Sequence, residues 1–156
     1  MLAEILVCLD GSPLAERILP LAQRIACAKG ATVILLRVLG NSEELSAEES
    51  YMRERAGVLN APIRFLISPD PATAIIEELA KNPRAMPALT THGRTPLGEA
   101  LLGSVALKVI RGASRPVLLY RARSDSLTTP TKITTLVVAL DGSEFSEKIV
   151  PSAVAM

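Results

Sequence analysis

The sequence is poor in aromatic side chains, with two Tyr, two Phe and no Trp among 156 residues. A core built without them must be filled by Leu, Ile, Val and Ala, the usual packing between a parallel sheet and its helices. One histidine and two cysteines leave no set with metal-ligand spacing and no redox motif. Charge of neither sign dominates: 17 Lys and Arg stand against 16 Asp and Glu, with no long single-sign run. This argues against nucleic acid and membrane surfaces as partners, since both normally require a basic patch or stripe. No apolar run approaches the roughly 20 residues of a membrane span. The chain reaches Glu4 without the basic and apolar regions of a signal peptide, so a cytoplasmic protein is expected. Cys8, in an apolar strand, and Cys27, on an apolar helix face, are expected as buried free thiols.

What the chain does contain is an alternation of two periodicities. Residues 4–9 form a continuous apolar run with branched side chains, as in a strand buried on both faces. Asp10-Gly11-Ser12-Pro13 breaks it, with Ser12 suited to a helix N-cap and Pro13 to the first helical position. Leu14, Ile18, Leu21, Ala22 and Ile25 then share a helical stripe that Pro20 should kink and Lys29-Gly30 should end. Residues 31–38 read as a second buried strand. Ser46 with Glu49 makes a capping box for a helix through Leu59. Residues 62–67 read as a third strand, Asp70-Pro71 as the cap of another helix, and 86–91 as a fourth strand. Leu102, Val105, Ala106, Val109 and Ile110 mark a further helix, and Val117 to Tyr120 a last strand. The order β-α-β-α-β-α-β-α-β predicts an α/β domain, a parallel sheet with helices on both faces.

The opening also recurs. Residues 4–25 return at 135–156 without a gap, so that Asp10-Gly11-Ser12 is echoed by Asp141-Gly142-Ser143; nine of the 22 paired positions are identical, where average usage predicts about one or two. The chain therefore divides into a domain at 1–122, a polar linker at 123–132, and the first strand and partial first helix of a second, incomplete copy at 133–156. Alone, that strand and partial helix cannot bury their apolar faces. Leu136 to Leu140 is expected to dock against a sheet edge or a neighbouring molecule.

In open α/β sheets, ligands bind beyond the carboxyl ends of the strands, where strand order reverses. Two loops there carry unusual chemistry. Asp10, directly after the first strand, reads equally as a turn and capping residue or as an acceptor for a ribose hydroxyl or a divalent cation. Between Thr90 and Ser104, Gly93 permits a tight turn, and Gly103-Ser104 lies where the last long helix begins. Its backbone N–H groups and dipole suit phosphate oxygens, with Arg94 as a cation. A glycine turn and serine cap joining strand to helix is the alternative. Gly98 to Ser104 has the look of a Walker A loop without its lysine, which argues against a P-loop NTPase. His92, the one histidine, reads as a turn residue, and nothing supplies a convincing general base.

Taken together and in order, residues 7–12 (Val-Cys-Leu-Asp-Gly-Ser), 35–38 (Leu-Leu-Arg-Val), 91–94 (Thr-His-Gly-Arg) with Gly103-Ser104-Val105, and 115–119 (Arg-Pro-Val-Leu-Leu) resemble the universal stress protein family. The likeness spans residues 3–121 and restarts at 133–156. It implies an open five-stranded parallel sheet in the order 3-2-1-4-5, a Rossmann-like nucleotide-binding architecture. It implies ATP, with Mg²⁺ reached by Asp10 through the nucleotide, and little or no turnover. The positions carried over are Cys8, Asp10, Val38, Thr90, Thr91, Gly93, Arg94, Thr95, Gly103, Ser104 and Val105. Adenine would lie near Val38 and the Cys8–Asp10 strand end, and phosphates on Thr91 to Thr95 and Ser104-Val105. ATP-binding members carry a further glycine where this chain has Thr90, which adds bulk where the loop wraps the phosphates. The resemblance also implies a homodimer in which strand 117–120 pairs with its counterpart. The second functional expectation is a regulatory interaction domain that binds no nucleotide and acts through dimerisation.

Overall fold

Residues 2–91, 103–121, 133 and 135–154 are described in a computed structural model of the chain. Strand β1 (Glu4–Leu9) sits at the centre of a five-stranded sheet. The others are β2 (Thr32–Leu39), β3 (Ile63–Ile67), β4 (Ala85–Thr90) and β5 (Leu118–Tyr120), in the order β3-β2-β1-β4-β5. All pairings are parallel. On one side β1 runs beside β2 from Glu4↔Thr32 to Leu9↔Arg37, and on the other beside β4 from Glu4↔Ala85 to Val7↔Ala88. The 3-2-1-4-5 order expected from the resemblance is the one found.

Because side chains alternate along a strand, β1 feeds two cores. Ile5, Val7 and Leu9 pack with Ile18, Ile25 and Met52. Those partners come from the segment 13–29 and from α3 (Leu45–Leu59). Leu6 packs on the opposite face with Ile75, Leu79 and Val109, from α4 (Pro71–Lys81) and α5 (Ser104–Gly112). Helices thus cover both faces.

Four local expectations are corrected. Pro20 divides the first helix instead of kinking it, giving α1 (Pro13–Glu16) and α2 (Leu19–Lys29) with proline in the first turn of the second, where its missing N–H costs nothing. The third helix is entered earlier than the Ser46 capping box implies. Asn41 accepts from the N–H groups of Glu43 and Glu44, starting a 3-10 turn at Ser42–Glu44 that runs into α3. Cys27 is exposed, because it follows Ala26 around α2 past the edge of the buried stripe. Residues 135–140 form no strand and join no sheet among the described residues.

The helical part of the second copy does form, as α6 (Glu144–Glu147) and α7 (Val150–Val154). Its entry repeats the first copy closely. Gly11 and Gly142 share φ 81°, and Ser12 and Ser143 each accept an N–H three residues ahead at 3.1 Å. A turn and a cap are built from neighbours in sequence, whereas a strand needs another strand. The first have what they need here and the second does not.

Candidate functional site

The crevice lies where the strand order turns from β2-β1 to β4-β5, at the carboxyl ends of β1 and β4. A pocket of about 280 Å³ opens there. Cys8, Leu9 and Asp10 from the end of β1 line it, together with Leu36, Arg37 and Val38 from β2, Thr90 from β4, and Gly103, Ser104 and Val105 at the start of α5. Seven of the positions carried over from the resemblance therefore meet in one cavity: Cys8, Asp10, Val38, Thr90, Gly103, Ser104 and Val105. Thr91 lies beside it, buried at the strand end. Gly93, Arg94 and Thr95, with His92 and the start of the Walker-like stretch, lie outside the described residues.

Asp10 serves as the turn residue of its first reading. Oδ1 accepts the N–H of Ser12 at 2.9 Å, closing a turn that Gly11 completes at φ 81°. Oδ2 makes no hydrogen bond among the described residues, and Asp10 is one of the residues that line the pocket. The turn holds the carboxylate in place through one oxygen.

The opposite wall is set by one short contact. The Gly103 N–H donates to the Thr91 carbonyl at 2.7 Å, while the Thr91 N–H donates to the Tyr120 carbonyl at 3.0 Å. The end of β4 and the beginning of α5 are thereby clamped together. A Cβ on Gly103 would stand 3.3 Å from the Thr91 oxygen, closer than side-chain carbons normally approach. Glycine is needed here for the close approach alone, since its φ of −55° suits any residue. Among the described residues no side chain caps α5, whereas Ser12 caps α1 and Asp70 caps α4. Ser104, Val105 and Ala106, the first turn of α5, line the cavity, so the positive end of the helix dipole lies at its wall.

Two chemical properties of the floor follow from burial. Desolvation pushes the Cys8 thiol up to about 12, so it stays a neutral thiol and no nucleophile. Arg37 is the residue that sequence reasoning missed. It is buried in an otherwise apolar strand, with Nε 2.9 Å from Glu48 Oε2 and Nη1 3.3 Å from the Leu9 carbonyl. It ties the end of β1 to α3 and is one of the residues that line the pocket. An arginine inside a run of buried apolar residues was the available signal, because a buried charge must be paired. Among the described residues, no group of three or more His, Cys, Asp or Glu side chains is placed to hold a metal ion, and no helix is long and apolar enough to cross a membrane.

Sequence comparison now bears on this geometry. The universal stress protein family model matches residues 41–121, just over half of the chain. The chain belongs to that family. Solved structures agree in fold. A hypothetical protein whose biochemical function was assigned from its structure is 26% identical, with a TM-score of 0.66 over 81% of this chain and 99% of its own. A universal stress protein in complex with cAMP is 23% identical at TM-score 0.62, covering 78% of this chain and 98% of its own. The universal stress protein from Archaeoglobus fulgidus in complex with dAMP is 19% identical at TM-score 0.62, covering 76% and 97%. No curated protein matches the chain at a significant level. In this universal stress protein the crevice lies at the carboxyl ends of β1 and β4, on either side of the turn in strand order.

Proposed function

We propose that this universal stress protein is a stress-response module of the cytoplasm that binds an adenine nucleotide, ATP with its Mg²⁺, and turns it over little or not at all. The observation that carries the reading is the meeting of Asp10 and the start of α5, which no described side chain caps, at one pocket. A carboxylate suits the ribose hydroxyls, and helix N–H groups suit phosphate oxygens. The adenine then faces Val38 and Leu36, an apolar slot. Relatives of the same fold crystallised with cAMP and with dAMP support the ligand class. The lining supports little turnover, since its titratable described side chains are Cys8, Asp10 and Arg37. The first is a neutral thiol and the last is held by Glu48, so the described lining offers no general acid–base pair.

Thr90 supports a second reading, a dimeric regulatory domain that binds no nucleotide, because it puts a β-branched side chain on the pocket wall. Isothermal titration separates the two. ATP with Mg²⁺ is expected to release or absorb heat at one site per chain, and Thr90→Gly to bind as tightly or more tightly. Absence of heat into the millimolar range, in both forms, would favour the regulatory domain.

A further inference from the structure

Arg37 is a charge placed where the packing asks for an apolar side chain. Val33 and Leu35, which share its side of β2 by alternation, belong to the apolar cluster that includes Ile25 of α2 and Met52 of α3. The Arg37 side chain is only 8% exposed, and that of its partner Glu48 24%. Taking such charges out of water is costly, and apolar residues in place of a buried ion pair often leave a protein as stable or more so. Stability alone therefore gives no reason for this pair.

Its contacts supply one. On its β4 side β1 is paired only as far as Val7↔Ala88, and the strand runs on to Leu9 with β2 alone beside it. The pocket opens at that end, and Leu9 and Asp10 line it. There Arg37 Nη1 donates to the Leu9 carbonyl at 3.3 Å, while Nε donates to Glu48 Oε2 at 2.9 Å. That carbonyl belongs to the peptide leading into Asp10, whose Oδ1 in turn holds the Ser12 N–H. Glu48 stands in the first turn of α3 and does not itself line the pocket.

We propose that Arg37 and Glu48 are positioning residues for the ligand site: together they fix the Leu9 peptide, and with it the Asp10 carboxylate, before a ligand arrives. A site already held in its bound geometry binds more tightly, because less ordering remains to be done on binding. That the ligand is a nucleotide rests on the function proposed above, whereas the tie itself can be tested without one.

The experiment removes both charges. In Arg37→Met with Glu48→Met the melting temperature should stay at or above the wild-type value. Exchange of the Ser12 amide, measured without ligand, should quicken about tenfold or more relative to that of Ala22, which donates to the Ile18 carbonyl at the start of α2. ATP with Mg²⁺ should bind about tenfold more weakly or worse. Glu48→Gln keeps the shape and an acceptor oxygen without the charge, and should move both readouts the same way by about threefold. Wild-type Ser12 exchange, or wild-type affinity, in both variants overturns the proposal. So does a lowered melting temperature with Ser12 and Ala22 exchange quickening together, since the pair would then hold the fold and not the turn. If the wild type binds no ATP, the nucleotide reading fails by itself, and Ser12 exchange alone decides the positioning.

Discussion

Gly103 is the residue on which the proposed phosphate wall depends. Its N–H donates to the Thr91 carbonyl at 2.7 Å, and a Cβ there would stand 3.3 Å from the same oxygen, so any side chain must push that carbonyl back. Gly103→Val should therefore cost about 1–3 kcal/mol of stability through overpacking. If phosphates rest on α5, it should also lower nucleotide affinity at least tenfold, because the strand end and helix start must part. Thermal melting and titration of one preparation check both, and wild-type affinity in a destabilised variant would break the link. Residues differ in how openly the sequence announces them. Asp10, Gly103 and Ser104 stand in loops after strands, where polar and glycine residues invite a functional reading. Arg37 was hidden because its role comes from the Leu9 carbonyl and Glu48, partners 28 and 11 residues away that only the folded chain brings together.

At the scale of elements, most caps built from neighbours in sequence were legible, although Pro20 and the Ser46 box were misread. The Asp70 cap, the Ser12 cap and the Gly30 helix end form as expected. The second copy separates local from distant causes within one molecule: its cap forms without a core, and its strand does not form without a sheet. Stability should divide in the same way. Ser12 is buried and joins α1 to the core cluster, so Ser12→Ala should cost about 1 kcal/mol, roughly 4 °C in melting temperature. Ser143→Ala removes the same 3.1 Å bond from an element with no core, so the main unfolding transition should not move. A comparable loss in both variants, by calorimetry, would show that the second copy packs on the domain.

For the whole molecule, the sheet presents two edges of different character. β3 carries Arg64 in a salt bridge to Glu78, a charged feature that blunts edge pairing. β5 offers Leu118, Leu119 and Tyr120, half-buried and uncharged. We propose a homodimer through β5. Light scattering should show it in the wild type and a monomer in Leu119→Lys, whereas a wild-type monomer at tens of micromolar would contradict it. At the carboxyl ends of the strands, an adenine nucleotide is proposed to lie between Asp10 and the start of α5. Amide chemical shifts recorded while ATP and Mg²⁺ are added to isotope-labelled protein decide this. Saturable shifts are expected at Asp10 to Ser12 and Gly103 to Ala106, with the amides at the opposite, amino ends of β1 and β4 unmoved. Saturable binding that leaves those two segments unshifted would contradict it.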